Sequence, residues 1–283
     1  MRKLKAIDTS CEEFAKEIIS DTAERLQPVY TAIQGKLKNL HDDYDDKFLH
    51  DNLQNVNKSG LSSGELNRYG KLYKADCEAI QKLKFQVLRN EIGIYDDVCP
   101  ICGIGPANTI DHFVPEGDYP EYCVHPRNLI PLCNDCNGPK RTLLKTDTNE
   151  RALWNNYLDE SPNRQFLFCD VAMIEDMPRA SFYIDNRNGV DKQVYSRIER
   201  TFERMHILEH YNSSSSGKAY YYLKVLASHE IYSEEEVVSW LRDEITGKDV
   251  NDFVAVYLDA LITSTECMKW ILDKLSELHS MMA

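Results

Sequence analysis

Apolar residues recur at helical spacing through the first third of the chain. Phe14, Ile18, Leu26, Tyr30, Ile33, Leu37 and Leu40 fall three to four positions apart, or at multiples of that spacing. Ser10 and Glu13 form a capping-box pattern at the head of this series, which predicts a helix start there. Pro28 sits inside it and is expected to kink or divide the helix, because proline lacks the N–H of the i→i−4 bond. The polar stretch HDDYDDKFLHDNLQNVNKSGLSSG reads as a loop with room for a short helix. Leu66, Tyr69, Tyr73, Cys77, Ile80, Leu83 and Val87 predict a second long helix, with Arg68, Lys71, Lys74, Lys82 and Lys84 on its outer face.

Beyond residue 150 the pattern changes twice. QFLFC and SFYID, within 164–186, are short, aromatic and separated by a proline-containing turn, as expected of extended segments. From Tyr195 the helical period returns with Ile198, Phe202, Met205 and Leu208. The SSSSG run at 213–217 reads as a flexible break. Ser233 and Glu236 repeat the capping-box pattern ahead of a helix that Gly247 is expected to end. A last helix is expected from about Asp252 to Ser280. The implied organisation is a helical flank over 1–95, a cysteine module over 96–150, and a mixed extended and C-terminal helical segment over 151–283.

Composition narrows the class. The chain has 283 residues and is 42% apolar, ordinary for a globular protein. No apolar run approaches a membrane span, and MRKLKAIDTSCEEF lacks the apolar core of a signal peptide. Nine cysteines, an odd number, suit metal ligation better than a disulfide framework, so a reducing, cytoplasmic location is expected. The formal net charge is −13, the wrong sign for binding nucleic acid over a broad basic face. A nucleic-acid enzyme of this charge is expected to use local, metal-assisted contacts or a partner's basic surface.

The chemistry concentrates between Cys99 and Lys140. Cys99/Cys102 and Cys133/Cys136 are two CxxC pairs of the kind that close one tetrahedral zinc site. A four-thiolate site leaves no open position, so that zinc is structural. Cys11, Cys77, Cys123, Cys169 and Cys267 read as free packing thiols. Asp111 and His112 lie between the pairs, Asn128 just before the second, and Asn137 directly after it. A carboxylate, an imidazole and two amides on a stapled platform suit metal-dependent phosphodiester cleavage. Asp111 is a hard oxygen ligand for magnesium or manganese. His112 can take a proton from water near neutral pH. Taken singly, the pair Asp111-His112 is common, Asn128 could be a turn residue and Asn137 a helix cap. His125 is a spare candidate in a loop, and Glu116 and Asp118 read as solvated loop residues.

In this order the residues resemble the HNH endonucleases with a ββα-metal fold, in their four-cysteine zinc subgroup. The resemblance covers about residues 97–145. It implies a small module of two strands and a helix around one catalytic metal; set between the helical flanks read from the periodicity, this makes the expected chain mainly α, α+β overall. Asp111 and His112 would end the first strand, Asn128 would lie in the loop or second strand, and Asn137 in the first turn of the helix. It further implies that Asn128 fixes the loop aiming His112 and that Asn137 takes the second metal-ligand position, where most members carry histidine. Lys140 and Arg141, in the same helix, are expected to hold phosphate. DHFVPEGDYPEY followed by PRNLIPLCNDCN is similar to HNH subunits of bacterial anti-phage systems of the Septu type, which implies an ATPase partner; the helical flanks and the acidic charge suit docking on such a partner. The expected function is thus endonuclease cleavage of nucleic acid, DNA before RNA. The competing expectation is an inactive zinc-ribbon module that binds nucleic acid or protein.

Overall fold

The computed structural model describes residues 1–90 and 92–282. Glu91 in the N-terminal flank and Ala283 at the end of the C-terminal segment lie outside the described residues. The protein is about half helical, with two small antiparallel sheets, an α+β arrangement. It divides into two compact units, Arg2–Glu160 and Ser161–Ala283, the latter grouped with Met1. The N-terminal helices and the cysteine segment therefore belong to one unit.

In the first unit, α1 spans Cys11–Ser20 and opens with the expected Ser10–Glu13 capping box. Pro28 divides the apolar series: α2, Gln27–Leu49, begins there. In the first turn the missing proline N–H has no intrahelical acceptor to lose. α2 also runs through HDDYDDKFL, correcting the loop expectation. His41, Tyr44 and Phe48 continue the buried stripe of Ile33 and Leu37, while the acidic residues between them lie on the other faces. The expected second long helix is two. α3, Ser63–Gly70, starts at an unforeseen Ser62–Glu65 capping box, and α4 spans Glu78–Val87. The basic outer face is correspondingly broken, and Lys82 is paired with Glu17 and Glu78 at 3.2 and 2.9 Å.

Two short strands follow. β1, Thr109–His112, pairs antiparallel with β2, Leu129–Leu132, placing Asp111 opposite Ile130 and His112 opposite Leu129. α5, Asn134–Lys140, starts directly after β2 and packs on β1. Pro139 and the positive φ of Arg141 (51°) end it.

In the second unit, β3, Leu167–Ile174, and β4, Met177–Ile184, form an antiparallel hairpin. The turn is at Glu175 and Asp176, both at positive φ, which matches the twist of a two-residue hairpin. Pro178, expected in the turn, lies within β4. Helices α6 (Lys192–Arg204), α7 (Ile207–Ser228), α8 (Glu234–Ile245), α9 (Phe253–Thr263) and α10 (Thr265–Met282) complete the unit. The serine run is not a break: it lies within α7, where Ser213 and Ser215 bond the carbonyls of His210 and Asn212. α7 packs on β4, and Tyr211 stacks on Phe253 at 4.6 Å beside Phe182, so tertiary packing overrides weak local propensity. The Ser233–Glu236 box opens α8 as expected. The expected last helix is divided at Ser264 into α9 and α10.

Candidate functional site

The four CxxC cysteines come together from two elements. Cys99 and Cys102 lie in a tight turn closed by Cys99 N–H donating to Gly105 O and Gly103 N–H donating to Cys99 O. Gly103 takes φ +69°, a conformation that costs glycine little. Cys133 follows β2 as the N-cap of α5, and Cys136 sits in the first turn of that helix. All four are buried, and their sulfurs lie within 4.8 Å of one another. Cys102 and Cys133 Sγ are 3.7 Å apart. Thiolates about 2.3 Å from a tetrahedral zinc are separated by about 3.8 Å, so this donor set fits zinc closely. Among the described residues no other group of three or more histidine, cysteine or carboxylate side chains converges in this way. The set welds the start of α5 to the loop that enters β1.

Asp111 and His112 are the last two residues of β1, and strand geometry sends their side chains to opposite faces. His112 Nε2 lies 2.8 Å from the Cys123 carbonyl. A carbonyl only accepts, so Nε2 carries the hydrogen and Nδ1 keeps the lone pair in the neutral ring. Nδ1 faces Glu116 Oε2 at 3.6 Å, and Tyr73 meets the ring edge-on at 4.4 Å. Burial pulls the His112 pKa below the ordinary histidine value, while the Glu116 charge and the Cys123 carbonyl act in the opposite direction.

Asn128 closes the segment between the strands. It is fully buried at the end of a short 3₁₀ turn, immediately before β2. Its Nδ2 donates to the carbonyls of Val114 (3.0 Å) and Tyr122 (3.1 Å). Its Oδ1 accepts from Val114 N–H (2.6 Å) and from the Tyr44 hydroxyl (3.1 Å). One side chain thus ties the segment after His112, the turn carrying Cys123, and helix α2. Tyr44 lies in the stretch expected to be a loop, which is why its part in the site was not legible. Glu116, expected to be solvated, is half-buried beside His112. Only the five-residue HFVPE spacing hints at that.

Helix α5 lies against the Asp111 face. Asn137 Nδ2 donates to Thr109 Oγ1 at 3.1 Å, which leaves Oδ1 as its acceptor. One turn later Lys140 Nζ is 3.1 Å from Asp111 Oδ2, 2.7 Å from His112 O and 3.1 Å from Phe113 O. Lys140 is 2% exposed and Asp111 7%. The two ligand candidates therefore flank the same face of β1, and both offer hard oxygens suited to magnesium or manganese. Arg141 is exposed beyond the helix end. His125 is buried, 4.0 Å from Tyr44 between ring centroids, with Nε2 3.5 Å from Asp45 Oδ1.

Two curated proteins show similarity. The chain is 33% identical over 127 residues to "Protein ea31" of Escherichia phage lambda, covering 41% of this chain and 43% of that protein. It is 30% identical over 90 residues to "Septu protein PtuB" of Bacillus thuringiensis, covering 31% of this chain and 34% of that protein. The matches thus span less than half the length of each relative. No family model and no solved structure matches.

Proposed function

We propose that the segment 96–150 is a metal-dependent endonuclease site of the HNH type, cleaving phosphodiester bonds in nucleic acid, DNA in preference to RNA. The observation that carries this reading is the His112 geometry. A neutral imidazole at a strand end has Nε2–H held by a backbone carbonyl and Nδ1 left as the base, next to a buried carboxylate on the opposite face. His112 Nδ1 takes a proton from the attacking water, and the Glu116 carboxylate 3.6 Å away stabilises the imidazolium formed. Asn128 keeps the Cys123 carbonyl and the segment after His112 in register, so the base is aimed before substrate arrives. Asp111 and Asn137 would hold the magnesium or manganese ion, which supplies charge neutralisation at the phosphate and the leaving oxygen. Arg141, exposed at the end of α5, is placed to meet phosphate. The four-cysteine zinc is structural.

Similarity to a Septu protein supports a defence-related role, in which this chain acts as the nuclease component beside a protein partner such as an ATPase. A second reading, a zinc-stapled binding module without catalysis, draws on one observation: Lys140 already compensates the Asp111 charge. The experiment is to incubate the purified chain, alone and with its neighbouring gene product, with plasmid DNA and total RNA in magnesium or manganese. Nicking or degradation that needs the divalent ion supports the nuclease. Intact substrates under every condition, with nucleic acid or protein bound, support the second reading.

A further inference from the structure

Among the described residues of the first unit, Lys140 stands out as a buried lysine, 2% exposed. Its Nζ lies within hydrogen-bond reach of Asp111 Oδ2, His112 O and Phe113 O. Two of these are backbone carbonyls, of the last residue of β1 and of the residue after it, so the ammonium stays in place whether or not Asp111 changes its partner. Its stem comes from the last residue of α5, the helix that also carries Asn137. A fixed positive charge therefore sits 3.1 Å from the carboxylate that the proposed function assigns to the divalent ion. In a site screened from water, like charges at such separations repel strongly.

Resting on that reading, we propose that Lys140 is a resident counter-cation that keeps the divalent ion off Asp111 until a nucleic-acid phosphate arrives. The ammonium sits on Oδ2 and offsets the charge that Asp111 can offer an incoming cation. Asp111 with Lys140 is neutral as a pair, and Asn137 is neutral, so the protein donors alone attract a divalent cation weakly. A substrate phosphate brings the missing negative charge and oxygen ligands, so ion and substrate load together. Lys140 is a positioning residue here, and its burial leaves phosphate contact to Arg141.

The test measures Mn²⁺ affinity by electron paramagnetic resonance, with and without a phosphorothioate oligonucleotide. The proteins are wild type, Lys140→Gln, Lys140→Met and Asp111→Asn, with zinc content and circular dichroism checked in parallel. Lys140→Gln drops the charge but keeps two N–H donors for the carbonyls, so it keeps the fold if Lys140→Met does not. Without oligonucleotide, neutralising Lys140 is expected to tighten Mn²⁺ binding by about tenfold or more. The oligonucleotide should tighten binding to the wild type far more than to Lys140→Gln. A purely structural lysine predicts the opposite sign, weaker binding in the variants. Asp111-dependent Mn²⁺ binding that is unchanged or weakened in Lys140→Gln overturns this inference alone. Absence of any Asp111-dependent binding, in all variants and with oligonucleotide, overturns the metal-site reading and this inference with it.

Discussion

His112 serves as a base only if Nδ1 is neutral and aimed, and the Cys123 carbonyl and the surrounding burial secure both. The sign is set by the burial: the pKa lies below the ordinary value of about 6.5, so the ring is neutral at and above that pH. Cleavage should therefore hold from neutral pH down to about 6.5 and fall only in more acid solution. A rate profile whose acid limb is centred above neutrality contradicts this. Asn128 is the second decisive residue. Asn128→Ala strips partners from Val114 N–H, the Val114 and Tyr122 carbonyls and the Tyr44 hydroxyl, all in a buried setting. It should cost about 3 kcal/mol or more, read by urea unfolding. Tyr44→Phe removes only one of these bonds and should cost about 1 kcal/mol. Equal losses for the two variants would mean that Asn128 is not the hub. The cysteines, Asp111, His112, Asn128 and Asn137 were all legible because each sits in a short motif of fixed spacing. Tyr44, Tyr73 and Glu116 were not, since two reach the site from the helical flank and the third is marked only by its four-residue offset from His112.

At the scale of elements, local signals were reliable where a side chain bonds the backbone directly. The Ser10 and Ser233 boxes mark the starts of α1 and α8, and Pro28 marks the start of α2. Readings based on polarity alone failed. HDDYDDKFL is helical because every third or fourth residue faces the core, whatever the charge between. The serine run is helical because α7 packs on β4. Gly217 tests that conclusion. It lies in α7, exposed, with nothing within 4 Å of an added Cβ. Gly217→Ala should stabilise the second unit by about 1 kcal/mol, through helix propensity and a less flexible unfolded chain. No change in the thermal midpoint would restore the flexible break.

Across the whole molecule, charge and metal set the behaviour. Two buried histidines of the first unit, His41 and His125, have pKa values pulled down by burial, His125 strongly. The native state holds both rings neutral, while the unfolded chain protonates them below about pH 6.5. Their contribution is therefore present above that pH and lost as the solution becomes more acid. His125→Gln should flatten the fall of stability between about pH 6.5 and 5, and an unchanged slope would remove His125 from the account. With a net charge of −13, the isolated chain should bind duplex DNA weakly at physiological salt and more tightly together with the protein partner proposed above. Tight, partner-independent binding with a steep salt dependence would mean the acidic balance was misjudged. Among the described residues no helix is long and apolar enough to cross a membrane.

A base at His112 is what would make the site a nuclease, and a single substitution separates that role from the fold. Wild type and His112→Ala, matched in zinc content and in circular dichroism, are assayed on the same nucleic acid with manganese and the same partner. Both proteins should carry one zinc per chain, and the variant should cleave more slowly by about 10²–10⁴-fold. Cleavage by His112→Ala at close to the wild-type rate, with zinc and fold intact, would contradict that role.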